Sequence, residues 1–135
     1  MQIAGLELYV NHPVMALGAS EWIPTSLELR GEPASACDTH VLVRVQAQTT
    51  LVKVRIFLDD VEPRRRDQTA EGFTTVFDGP LLLADGRFVV GDLMAQSRFT
   101  TALHGLPGKR LVNVAVDDPH GLACAVDITI GKIVL

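Results

Sequence analysis

The chain has 135 residues, 47% of them hydrophobic, with a mean hydropathy of +0.25 and a formal net charge of −4. That length fits one domain spanning residues 1–135, and the apolar content excludes a disordered chain. No stretch approaches the ~18 apolar residues of a membrane helix, and the acidic balance lacks the basic footprint of nucleic-acid binding, so neither membrane nor nucleic acid is an expected partner.

At the start, "MQIAGLELYVNHP" has no basic segment, and Gln2, Glu7 and Asn11 interrupt its apolar residues. It reads as a first strand rather than a leader, and the expected location is cytoplasmic. "TSLELR" is a second short strand candidate. In "HVLVRVQAQ", Val41, Val43, Val45 and Ala47 share one face, with Arg44 and Gln46 on the other. In "LVKVRIFLDD", Val52, Val54, Ile56 and Leu58 point inward and Lys53 and Arg55 point to water. This period of two belongs to strands, whose successive side chains leave opposite faces.

After "DDVEPRRRDQTAEGF" (residues 59–73) come two more candidates, "TTVFDGPLLLAD" and "RFVVGDL". "LLLADGRFVV" predicts a hairpin turning at Asp85-Gly86 in a type I′ turn. Residues 92–104 could form a helix capped by Asp92 and stopped by Gly105, but Phe99, Thr101 and Leu103 alternate, which favours a loop followed by a strand. Two strong alternations close the chain. Val112, Val114 and Val116 oppose Asn113, and Cys124, Val126, Ile128 and Ile130 oppose Asp127 and Thr129. Turn signals separate the runs: "NHP", "RGEPAS", "AQTT", "FDGP", "ADGR", "LPGK" and "DDPHG". Strands at about 8–12-residue spacing predict an all-β fold, an antiparallel β-sandwich of about eight or nine strands with little helix.

Chemistry-bearing patterns are few. Arg64, Arg65 and Arg66 have the geometry to clamp phosphate, but Asp59, Asp60, Glu62, Asp67 and Glu71 neutralise them, so the run reads as a solvated loop. A loop this long in a compact domain is often functional, which makes Asp59, Asp60, Glu62, Arg64, Arg65 and Arg66 the expected partner-binding residues. Asp59-Asp60 and Asp117-Asp118 end two strong strands and would offer oxygen ligands for calcium, as in C2-type domains, if both strands ran to the same end. Acids that start turns are the simpler reading.

Four histidines, His12, His40, His104 and His120, stand singly, and there is no HExxH or GxSxG motif. "LPGKR" is no phosphate loop, because Leu103 stands where its first glycine is needed. No metal and no cofactor is expected, and no enzymatic activity. Cys124 is expected buried, Cys37 more exposed, and the pair unbridged. Trp22 is expected to plug an open end of the sandwich, with an exposed role in binding as the other reading. A small apolar ligand held between the sheets is a further binding class, favoured by the aliphatic content.

Taken in order, an early "LELYV" strand, a Trp soon after, a central strand pair and a late hairpin "FTTALHGLPGKRLVNVAVD" resemble the competence protein J family over about residues 6–130. Those are small bacterial β-proteins that inhibit a DNA-entry nuclease. The insert "EPRRRDQ" has no counterpart in that resemblance. It implies a sandwich-like fold and stoichiometric binding of a protein partner rather than catalysis, and it assigns no residues. An acidic chain suits a basic partner such as a nuclease, through charge complementarity.

Overall fold

Alternation along the chain resolves into two facing sheets in the computed structural model, which describes residues 1–10, 12–46, 51–58, 72–93, 97–103, 108–120 and 123–134. Ten strands form among the described residues: β1 (Gln2–Leu8), β2 (Val14–Gly18), β3 (Ala34–Ala36), β4 (His40–Arg44), β5 (Val52–Leu58), β6 (Thr74–Leu83), β7 (Arg87–Asp92), β8 (Arg98–Ala102), β9 (Gly108–Val116) and β10 (Ala125–Ile133). One sheet has the order β1-β5-β10-β9-β6 and the other β3-β4-β2-β7-β8. The all-β sandwich expected from the sequence is the architecture found, and residues 98–102 are strand.

The inward positions of the alternating strands make the core. Val52, Val54 and Ile56 of β5, Val112, Val114 and Val116 of β9 and Val126, Ile128 and Ile130 of β10 are buried together. Met15, Leu17, Val41, Val43, Phe88 and Val90 of the other sheet meet them. Each such side chain contributes about 1.5–3 kcal/mol when fully buried.

Several expectations are corrected. The sheets are not wholly antiparallel, because β10 pairs with β5 in parallel, Val126 opposite Val54 and Ile130 opposite Leu58. "TSLELR" is no strand; Leu27 N–H bonds to Pro24 O at 3.0 Å in a turn. "FDGP" lies inside β6, with a bulge between Thr75 and Phe77. Pro80 fits there because β6 is an edge strand, where a missing N–H is tolerated.

Asp85-Gly86 does not centre a hairpin, since β6 and β7 belong to different sheets. The turn closes one residue earlier, with Gly86 N–H on Leu83 O at 3.0 Å and Gly86 at φ +67°. β8 and β9 likewise lie in different sheets, so the expected late hairpin is a second crossing. Asn113, Asp127 and Thr129 stand on the face away from the core, as their alternation requires, yet all three are buried.

β2 and β3 escape the alternation rule. "VMALG" is a central strand whose Met15, Ala16 and Leu17 are all buried, and a strand buried on both faces shows no period of two. Where it ends, Gly18 (φ +152°) lies so close to β4 that an added Cβ would sit 2.3 Å from Thr39 O and 2.8 Å from His40 Cα. Both atoms belong to backbone and cannot yield cheaply. Gly18→Ala is therefore expected to lower unfolding stability by about 1–3 kcal/mol, read from the urea midpoint. An unchanged midpoint would show that this close approach is not rigid.

Candidate functional site

The expected partner-binding residues Asp59, Asp60, Glu62, Arg64, Arg65 and Arg66 lie outside the described residues. What is described is where the chain leaves the sheet. Leu58 ends β5, its N–H on Met1 O at 2.8 Å, level with Ile130 of β10.

The calcium reading fails on strand direction. β10 runs parallel to β5 and antiparallel to β9, so β5 and β9 finish at opposite ends of their sheet. Val116 is level with Val126 and hence with Val54, four positions (about 13 Å) short of Leu58. Asp117 and Asp118 instead organise their own turn. Asp117 Oδ1 accepts the N–H groups of Cys124 at 3.0 Å and Ala125 at 3.2 Å. Asp118 Oδ1 accepts the N–H of exposed His120 at 2.9 Å. "DDPHG" is thus turn chemistry, as the sequence suggests. Among the described residues no three His, Cys, Asp or Glu side chains gather as a metal site.

On the outer face of the β1-β5-β10 region lies a cleft of about 630 Å³, lined among others by Gly5, Glu7, Lys53, Arg55, Phe73 and Asp127. At its base Arg55, expected to point to water, grips the buried Asp127 as a fork. Nε donates to Oδ1 at 2.7 Å and the second contact joins a terminal nitrogen to Oδ2. Parallel pairing puts the two residues directly opposite each other.

Phe57 and Phe73 lie 5.3 and 5.7 Å from the guanidinium carbon, near the reach of cation–π attraction. The hydrogen bonds that Arg55 donates to Asp127 hold its pKa above the usual value despite some desolvation. Lys53 stands opposite Glu7 in the β1–β5 register, so the cleft is balanced in charge. Each Asp127 oxygen is engaged by the guanidinium, so the pair ties β5 to β10 at the base of the cleft.

A different arrangement occurs at the end of β2. The segment after Gly18 folds over the outer face of its sheet, where Ser20, Glu21 and Ile23 border a small cavity with Ala16, Val89 and Arg98. His40, buried at the start of β4, holds this segment. Its Nε2 lies 2.9 Å from Ser20 O, a carbonyl that can only accept, so Nε2 carries the proton. Nδ1 is then the acceptor for the Thr39 hydroxyl at 2.7 Å.

Ser20 Oγ lies 3.2 Å from Trp22 N and 3.3 Å from Trp22 O. The indole is 79% exposed. Trp22 is therefore no plug, and the expected end-plugging role is corrected; Glu21 and Ile23 turn toward the sheet and Trp22 between them turns away. The signal for this in the sequence is the local order Ser-Glu-Trp-Ile-Pro, whose alternation is too short to read alone.

Cys37 and Cys124 are free, and both are partly exposed. The expected burial of Cys124 is corrected: it is half-buried, and its Sγ donates to Gln46 Oε1 at 2.9 Å. Neither concavity described here lies between the sheets, where the aliphatic core fills the space, so the inter-sheet ligand reading gains nothing.

These features define a two-sheet sandwich carrying a displayed aromatic side chain and a neutralised cleft. Comparison of the sequence with known protein families and with curated proteins gives no match. Among solved structures, the fold is similar to that of ComJ, inhibitor of the DNA degrading activity of NucA, from Bacillus subtilis. The TM-score is 0.69 at 13% identity, and 98% of each chain is covered. The resemblance drawn from strand order is borne out at the level of the fold.

Arg55→Met would leave the buried Asp127 carboxylate without its cation. Removing one partner of a buried pair costs about 3–5 kcal/mol; because Arg55 is itself 44% exposed, a loss of about 1–3 kcal/mol is expected from urea unfolding. The double change Arg55→Met with Asp127→Leu should recover part of that loss. Equal instability of single and double variants would refute the desolvation argument.

Proposed function

We propose that the chain, acting as one domain over residues 1–135, is a cytoplasmic, non-enzymatic protein that binds and blocks another protein of basic surface, such as a nuclease. One observation carries this reading: the fold is shared over 98% of both chains with a protein described as the inhibitor of a DNA-degrading activity. Folds host many functions, so the fold supports the class of activity and not the partner. The net charge of −4 suits a basic partner, which in a nuclease is the surface that meets phosphate. No helix among the described residues is long and apolar enough to cross a membrane.

In this reading the acidic loop residues Asp59, Asp60 and Glu62 meet the partner, with Arg64, Arg65 and Arg66 beside them. Long-range attraction then speeds encounter, and association slows as salt rises. Single exposed charges contribute only about 0.2–1 kcal/mol, so a combined change is the fair trial.

The test is affinity capture from native lysate with the wild-type chain and with Asp59, Asp60 and Glu62 all changed to Ala. A basic protein is expected from the wild type and much less of it from the variant; if it is a nuclease, one equivalent of wild type should stop its cleavage of plasmid DNA. Equal recovery by both chains would remove the loop from the interface. Co-purification of a small molecule with no protein would replace the reading with ligand binding.

A further inference from the structure

We propose that Trp22 is an anchor residue for a basic protein partner, its indole receiving an arginine or lysine side chain of that partner. This rests on the protein-binding reading above and adds a contact outside the charged loop.

The first ground is the display itself. Tryptophan carries the largest apolar surface of any side chain and dominates interface energetics when covered. Here it is the chain's sole tryptophan and stands 79% exposed. The backbone that carries it is held, however. Ser20 Oγ meets both the N and O of Trp22, His40 Nε2 holds Ser20 O, and Ala19 N–H bonds to Thr39 O at 3.1 Å. Ile23 lies on the cavity side. A ring presented from a fixed backbone loses little further freedom on binding, so more of its contact energy appears as affinity.

The second ground is charge. From Ser20 to His40 the acidic and basic side chains, leaving the histidine aside as neutral in its hydrogen bonds, are Glu21, Glu28, Arg30, Glu32 and Asp38. Arg30 is paired with Glu28 at 2.9 Å, so along this stretch of sequence Glu21, Glu32 and Asp38 carry the net charge, while in space Arg98 borders the same cavity as Glu21. An electron-rich ring face displayed on a chain of net charge −4 attracts cations, and tryptophan is the best such face.

The third ground is position. Asp38 O accepts the N–H of Leu82 at 2.8 Å. Leu82 of β6 lies three positions beyond Gly79, which is level with Val112, Ile130 and finally Leu58. The Trp22 segment and the end of β5 therefore occupy the same end of the sandwich, the end from which the charged loop departs.

The experiment uses the protein captured by the wild-type chain, identified by mass spectrometry and then purified. Trp22→Ala should weaken its binding at least about tenfold, with Trp22→Phe intermediate, while the thermal midpoint stays near wild type. Because Trp22 is the sole tryptophan, uniform 5-fluorotryptophan labelling gives one fluorine resonance, which should shift when the partner is added. That measurement needs no substitution and stands if the Ala variant folds poorly.

Unchanged affinity of Trp22→Ala, an unmoved resonance at saturation, or an acidic captured partner would each overturn the proposal while protein binding stands. Capture of no protein at all overturns protein binding itself and this proposal with it.

Discussion

The parallel pairing of β5 with β10 is the constraint on which the rest of the first sheet depends. It brings residues 52–58 beside residues 125–133 and makes β10 the middle strand of five. Parallel neighbours cannot be joined by a tight turn, so the intervening chain must leave the sheet, build strands elsewhere and return. That excursion holds β7 and β8, two of the five strands of the second sheet. The same pairing sets Arg55 opposite Asp127, and it sends β5 and β9 to opposite ends, which separates the two acidic pairs.

How much of this could be read in advance depends on which faces of a strand meet water. β5 alternates Val52, Lys53, Val54, Arg55 and Ile56 between core and cleft, and its period is plain in the sequence. β2 has no polar position to mark a second face, so the central strand of the other sheet is silent. Turn residues mark where the chain bends but not where it goes. The bend at Gly86 and the stretch before Gly108 each look like hairpins, yet both carry the chain across to the facing sheet. Burial of Asn113, Asp127 and Thr129 on the outer face is a property of tertiary contact, and no local pattern announces it.

The candidate site was legible in part. The exposed reading of Trp22 was available from the sequence, but choosing it requires His40, twenty residues away by number and adjacent in space. A buried histidine at the start of a strand looks like ordinary core. Its partners, the Ser20 carbonyl and the Thr39 hydroxyl, make it the support of an irregular segment. The likeness to ComJ strengthens the fold without touching these side chains, since 13% identity says nothing of individual residues.

Chain order gives the central strand one further meaning. Among the described residues β10 follows every other strand in the sequence but fills the middle of its sheet, so during synthesis the antiparallel pairs β1–β5 and β6–β9 emerge as two separate halves. The edges of β5 and β9 then stay unpaired until residues 125–133 arrive between them. Closing contacts this distant in sequence is slow, and open edges beside apolar surface are where chains pair wrongly. The nascent chain is thus most vulnerable to a neighbour's strand just before β10 takes its place.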